Sequence, residues 1–407
     1  MQRGGEGRVF LLLQGPFSWF FTYLAAALRD AGADVHRVNF CPGDIMFWRG
    51  PNGTSYRGDP DDWPGYLERL IADRGITDIA GLGDGRRWHE DGYHVAREHG
   101  LRVHVIEQGY IRPHFLTVEP DGTGGRTRFP RDWAAIEALA KGSDMPEAPR
   151  FQTSFLKYAA MDVGYNLVNL LSSWLLFPRF RRHSLDHPLT EWSGWIWNRF
   201  RPHRRRHRML AEAEARLKAH QGPVYVLPLQ LDTDYQIRIH APPGGVAGII
   251  DRTVASFAAH APPDALLVVK VHPLDHGWTD WRGHLAKRAG AAGCAARCVY
   301  FDGGDLEAML QRASGTVVAN STVGLSALQA GSPVIALGTA IYDLEGLCYQ
   351  GQLDEFWQNA TQPDAARLDM FLRAIATSIH VPGGFDGTGA QPGARAMAAK
   401  MLAPPPY

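Results

Sequence analysis

Val9-Phe10-Leu11-Leu12-Leu13-Gln14-Gly15-Pro16-Phe17-Ser18 is a short apolar run stopped by a Gly-Pro turn, and Phe20 to Ala31 then follows with helical spacing. A strand, a turn and a helix in that order make the first half of a βαβ unit. The alternation continues through Val35-Phe40, a helix near Tyr66-Arg74, Asp78-Gly81, a helix over Tyr93-Glu98, and Val103-Glu107. It predicts a parallel sheet with helices on both faces. A second series starts at Val224-Leu229 and runs through Leu266-Val271, Cys298-Phe301, Thr316-Ala319 and Pro333-Leu337. The expected fold is α/β with two Rossmann-like lobes, and 407 residues with 45% apolar content suffice for two cores.

Between the two series, over 151–221, the pattern changes to long aromatic and basic helices without a strand signal. The expected division is an N-terminal lobe over 1–150, this helical basic insert over 151–221, a C-terminal lobe over 222–382, and a flexible tail over 383–407 rich in Gly, Pro and Ala. In the insert, Arg179, Arg181, Arg182, Arg199, Arg201, Arg204, Arg205, Arg206 and Arg208 are interleaved with Trp192, Trp195 and Trp197. That mixture suits an anionic lipid surface, with rings at headgroup level. It suits equally a solvated basic helix that packs on a lobe through its tryptophans.

Lys+Arg and Asp+Glu balance at 42 each, so no global field draws the chain to nucleic acid, and none is expected as a partner. Cys41, Cys294, Cys298 and Cys348 lack C-x-x-C spacing and are expected as reduced thiols in a cytoplasm. No signal-peptide order opens the chain. The stretch Leu167 to Phe177 is interrupted by Asn169, Ser172 and Ser173, and is short of the roughly 20 residues that span a bilayer. No transmembrane helix is expected.

In open α/β sheets, ligands bind beyond the carboxyl ends of the strands. After the first strand comes Gln14-Gly15-Pro16, a turn whose backbone N–H groups can face an anion or sugar hydroxyls. Asn39-Phe40-Cys41-Pro42-Gly43-Asp44 follows the second, and Glu107-Gln108-Gly109-Tyr110-Ile111-Arg112-Pro113 the fourth. Each of these also reads as a plain turn. In the second series, Gln230-Leu231-Asp232-Thr233-Asp234 puts two carboxylates at a strand tip, and Lys270-Val271-His272-Pro273 holds a histidine at the next. Asn320-Ser321-Thr322-Val323-Gly324 opens a helical run, as caps alone or as a phosphate site. The Asp-x-Asp string also matches a divalent-metal pattern, but no third ligand is identifiable, and charge stabilisation without a metal or other cofactor is preferred.

Taken in order, these strings, with Asp234-x-Gln236-Ile237, Ala340-Ile341-Tyr342-Asp343 and Gly351-x-Leu353-Asp354-x-Phe356-Trp357, resemble the bacterial capsular-polysaccharide biosynthesis and export family of the KpsS type. The resemblance implies a glycosyltransferase-B-like fold and a retaining transferase of β-linked 3-deoxy-D-manno-oct-2-ulosonic acid (Kdo). It implies CMP-Kdo as donor, the glycerol of a phosphatidylglycerol-type anionic lipid as acceptor, other capsule-assembly proteins as partners, and a peripheral place at the cytoplasmic face of the inner membrane. By the same resemblance Asp234 corresponds to the acidic residue implicated in catalysis, with Asp232 a second carboxylate that leaves the assignment open to exchange.

Departure of CMP leaves an oxocarbenium-like centre at C2 of Kdo, which a carboxylate can capture, and retention follows from two inversions. On this expectation Asp234 is the nucleophile, Glu107 the base toward the glycerol hydroxyl, and His272 acts at the phosphate. Gln230, Lys270, Asn320, Ser321, Thr322 and Gly324 bind the donor, and Arg112 its sugar carboxylate. Gln14, Gly15, Asn39, Asp44 and Tyr110 fall on the acceptor side. Two alternatives stay open: another nucleotide-sugar transferase or epimerase of the same fold, and a non-catalytic subunit of capsule export.

Overall fold

A computed structural model describes residues 4–146, 150–182, 187–200, 203–233, 235, 237 and 241–407. The chain divides into two units, Met1–His183 with Phe371–Tyr407, and Ser184–Met370.

The first unit begins β1 (Val9–Leu12), α1 (Phe20–Asp30), β2 (Asp34–Asn39), α2 (Pro42–Met46), β3 (Gly53–Ser55) and α3 (Trp63–Arg74). It continues β4 (Asp78–Leu82), α4 (Arg87–Glu98), β5 (Arg102–Gln108), β6 (Phe115–Pro120), α5 (Trp133–Ala140) and α6 (Phe155–Leu176). The second unit holds α7 (Pro188–Phe200), α8 (His203–Ala219), β7 (Val224–Pro228), α9 (Gly245–His260), β8 (Leu266–Lys270) and α10 (Trp281–Ala291). There follow β9 (Cys298–Phe301), α11 (Leu306–Arg312), β10 (Gly315–Val318), α12 (Val323–Gln329), β11 (Val334–Ala336) and α13 (Leu353–Asn359). After α14 (Ala365–Ser378), β12 (His380–Pro382) and α15 (Ala390–Leu402) complete the first unit.

Both sheets are doubly wound, as the alternation predicts. In the first, β3, β2, β1, β4 and β5 are parallel neighbours in that order, and β6 and β12 extend the sheet antiparallel. The second is wholly parallel in the order β9, β8, β7, β10, β11. Numbered within their own units, the parallel strands of both follow the order 3-2-1-4-5, which reverses at the first strand and opens a crevice there. Alternation along β1 shows why both faces must be covered. Phe10 and Leu12 join a core with Phe20, Leu24 and Leu28 of α1, while Leu11 and Leu13 join Leu67 and Ile71 of α3 and Tyr93 of α4 on the opposite face.

Two expectations are corrected. The segment 151–221 is helical but does not form a body of its own, because α6 belongs to the first unit and α7 and α8 to the second. The residues after 383 are not a flexible tail. They follow directly on β12, which pairs with β6, and α15 buries Ala394, Met397 and Met401 in the core that α1 closes. Small residues at 390, 394 and 398 let α15 approach closely, so a composition that reads as weak order serves packing instead.

Met397→Ala is therefore expected to cost about 2–5 kcal/mol in denaturant unfolding. A change within about 0.5 kcal/mol, as at an unpacked surface position, would mean that the C-terminal helix is not part of the core.

Candidate active site

At the crevice of the first sheet, Gln14 follows β1 and Arg86 follows β4, and Arg86 Nη1 donates to Gln14 Oε1 at 2.8 Å. Gln14 Nε2 in turn lies 3.2 Å from both Asp44 oxygens and 2.9 Å from the Tyr165 hydroxyl. Asp44 also accepts from Phe40 N at 2.9 Å and from Tyr165 at 3.2 Å, and faces Arg37 at 3.8 Å. Burial lowers the Arg37 guanidinium from its ordinary value, and Asp44 offsets part of that. The same burial raises the Tyr165 hydroxyl and the Cys41 thiol well above their usual ranges.

Four residues expected on the acceptor side have close partners within this arrangement. Gln14, Asn39 and Asp44 are 1%, 4% and 2% exposed, so their side chains are engaged within the protein. Asn39 Oδ1 receives Arg37 Nε at 3.4 Å. Gly15 is set by packing, since a Cβ there would stand 2.8 Å from the Phe21 ring.

Farther along the same edge, the loop after β5 carries Glu107, Tyr110 and Arg112. Gly109 must be glycine because a Cβ would meet Phe115 O at 2.6 Å. The loop is held from an unexpected side: His380 Nε2 accepts from Tyr110 N at 2.8 Å, and its Nδ1 donates to Ile375 O at 3.0 Å. Those partners fix a neutral ring, and burial pulls His380 down to about 4. The Tyr110 hydroxyl donates to Glu119 Oε1 at 2.7 Å, and burial pushes Glu119 up to about 7. Glu107 stays half-buried at the strand end, and Arg112 is exposed.

In the second unit the crevice lies between β7 and β10, and Gln230 Nε2 donates across it to Asn320 Oδ1 at 3.2 Å. These two predicted donor residues are brought together at the switch point. Asp232 Oδ1 accepts from Val246 N at 3.0 Å, holding one of the first free N–H groups of α9. Asp234 and Gln236 lie outside the described residues. His272 Nδ1 accepts from Leu274 N at 3.1 Å, which leaves Nε2 to carry the proton of the neutral ring.

Two of the residues expected on the donor side have partners within the protein. Lys270 is buried and its Nζ donates to Gly303 O at 2.8 Å, so it clasps the loop after β9; burial lowers it from its ordinary value. Gly324 is required by Tyr342, whose hydroxyl would lie 2.2 Å from a Cβ there and instead donates to Ser321 O. Ser321 Oγ accepts from Val323 N at 3.1 Å, and α12, which it opens, has seven residues. Thr322 occupies the N-cap position of α12 without a side-chain capping bond, and Ser321, Asn320 and Thr322 are half-buried at the edge.

A family model described as capsule polysaccharide biosynthesis protein matches residues 77–385. The chain belongs to that family. The capsule polysaccharide export protein KpsS of Escherichia coli is 32% identical over 387 residues, covering 92% of this chain and 96% of the relative. The capsule polysaccharide modification protein LipB of Neisseria meningitidis serogroup A is 31% identical over 363 residues, covering 87% of this chain and 86% of the relative. Among solved structures, the β-Kdo 2,7 transferase of KpsC from Thermosulfurimonas dismutans aligns over 96% of this chain and 98% of its own, at 16% identity and a TM-score of 0.44.

For this member of the capsule polysaccharide biosynthesis family, sequence reading missed Arg37, Arg86, Tyr165 and His380. Arg86 stands just after a predicted strand, Asp78-Gly81, and the strand-end rule would have found it. Tyr165 and His380 come from α6 and β12, far along the chain, and only the fold brings them to the edge.

Because His380 is held neutral, the unfolded chain binds a proton that the native state refuses between about pH 4 and 6.5. Its contribution is intact above the unfolded value and is lost as pH falls toward the folded one. His380→Gln, which can still accept from Tyr110 N, should lose about 2 kcal/mol less unfolding free energy than the wild type between pH 7 and 5. Parallel losses in both proteins would show that His380 titrates alike folded and unfolded.

Proposed function

We propose that this chain is a retaining transferase of glycosyltransferase-B-like design that moves Kdo from CMP-Kdo to the glycerol hydroxyl of a phosphatidylglycerol-type lipid, starting a capsule linker. Membership of a capsule polysaccharide biosynthesis family supports the setting. The observation that supports the mechanism is the engagement of Asp232 with the N-terminus of α9, which favours a supporting part for that carboxylate. Of the two acids at the strand tip, Asp234 is then the one for chemistry.

In this mechanism the Asp234 carboxylate attacks C2 of Kdo as the C2–O bond to CMP breaks, and the bond electrons leave with the phosphate oxygen. The glycerol hydroxyl then displaces Asp234 from C2, and its proton passes to Glu107. His272 and the polar edge of Gln230, Asn320, Ser321 and Thr322 hold the leaving phosphate, and Arg112 the sugar carboxylate. A monophosphate leaving group develops less charge than a diphosphate, which suits an edge built from neutral side chains. The clasp that occupies Lys270 gives it the part of fixing the loop beside that edge.

Release of nucleotide from CMP-Kdo, compared with UDP-sugars, tests the donor. Asp234→Ala is expected to lower turnover by at least about 10³-fold. Asp232→Ala should keep most of the turnover and cost about 1 kcal/mol of stability through the lost helix contact. If Asp232→Ala is the dead variant and Asp234→Ala the active one, the assignment is reversed, and if UDP-sugars alone are consumed, the donor is wrong.

A further inference from the structure

Helix α6 is turned inside out. Over its 22 residues the buried positions are Tyr165, Asn166 and Asn169, whereas Leu156, Leu171, Trp174 and Leu175 are 79%, 64%, 72% and 66% exposed. Exposed Val163 and Leu167 lie in the same stripe, because 156, 163, 167, 171 and 174 recur at helical spacing. The polar face is inward for a reason already described: Tyr165 serves Asp44, and Asn169 Oδ1 accepts from Gly43 N at 2.8 Å. A Cβ on Gly43 would stand 2.4 Å from the Tyr165 ring, so the contact is close enough to fix the helix's rotation. With that rotation fixed, the apolar residues have nowhere to point but outward.

We propose that this outward face of α6 lies in the headgroup–acyl boundary of an anionic phospholipid bilayer, with the helix axis along the membrane plane. The inference rests on the lipid-acceptor reading for why the protein meets a bilayer, while the surface itself is argued from the helix. With exposed Leu170 and Leu175 at its two edges the stripe covers about 140° of the helix, wider than the narrow seam of paired helices. No acidic residue falls within it; Lys157 lies at its edge and exposed Arg181 follows its C-terminal end, beside Arg179, which pairs with Asp59 at 2.7 Å. Rims of one sign on two copies would repel, whereas they match anionic headgroups. No helix among the described residues is long and apolar enough to cross a membrane, so α6 lies on the bilayer. At about 1.5 Å per residue it offers roughly 33 Å of contact.

The test is flotation of the full chain with vesicles of phosphatidylcholine alone and of phosphatidylcholine mixed with phosphatidylglycerol. The wild type should float with the mixed vesicles. The triple variant Leu171→Gln, Trp174→Gln, Leu175→Gln, at positions that are 64%, 72% and 66% exposed, should lose at least about 10-fold in partitioning while keeping a cooperative thermal transition. Undiminished flotation of the triple variant overturns the proposal. So does a wild-type dimer by light scattering that the variant turns into a monomer, which would make the face a self-association surface. Turnover of CMP-Kdo on a short-chain soluble acceptor separates the two readings: turnover kept by the triple variant supports docking apart from chemistry. If neither protein turns over the donor, the transferase reading fails while the flotation result still decides the docking face.

Discussion

A buried charge in the short helix after β2 governs much of the first unit. Asp44 and Arg37 are both nearly excluded from water, and a carboxylate in that position is tolerated only when its lone pairs are matched. Gln14, Tyr165 and the backbone of Phe40 match them. That requirement joins β1, β2 and α6, three elements separate in sequence, and sets the rotation of α6 about its axis. The ordinary rule that a surface helix buries its leucines is overridden here, because Tyr165 and Asn169 are held inward by Asp44 and the Gly43 backbone.

The two units solve the same problem with the same strand order and different chemistry. Each opens a crevice where the order reverses, and each spans it with a glutamine that follows its first strand: Gln14 with Arg86 in one, Gln230 with Asn320 in the other. The first crevice is backed by buried charge, and the second by neutral amides and hydroxyls.

Much of the fold was legible because parallel strands buried on both faces are apolar and continuous, as Val9-Leu13 and Leu266-Val271 are. What escaped were β3, β6 and β12, short or antiparallel strands whose pairing depends on distant partners. The C-terminal helix escaped because alanine and glycine are read as weak order although they allow close approach. At the site, the strand-end rule found Gln14, Asp44, Gln230, Asp232 and Asn320 but could not say which of them would be covered. Burial decides that, and burial is a property of the elements above each residue: α6 over Asp44, the loop after β9 over Lys270. The interruptions Asn169, Ser172 and Ser173 spoke only against a membrane span when read along the chain, and on the helix they mark the side turned to the protein.

The central claim is that a sugar from a CMP-activated donor is joined to a lipid. Mass spectrometry of a fluorescent phosphatidylglycerol analogue, recovered after incubation with the protein and CMP-Kdo, tests it most directly. The account predicts a product heavier than the lipid by one or more Kdo residues, with the first linked through the glycerol headgroup. Recovery of unmodified lipid while CMP accumulates would contradict it.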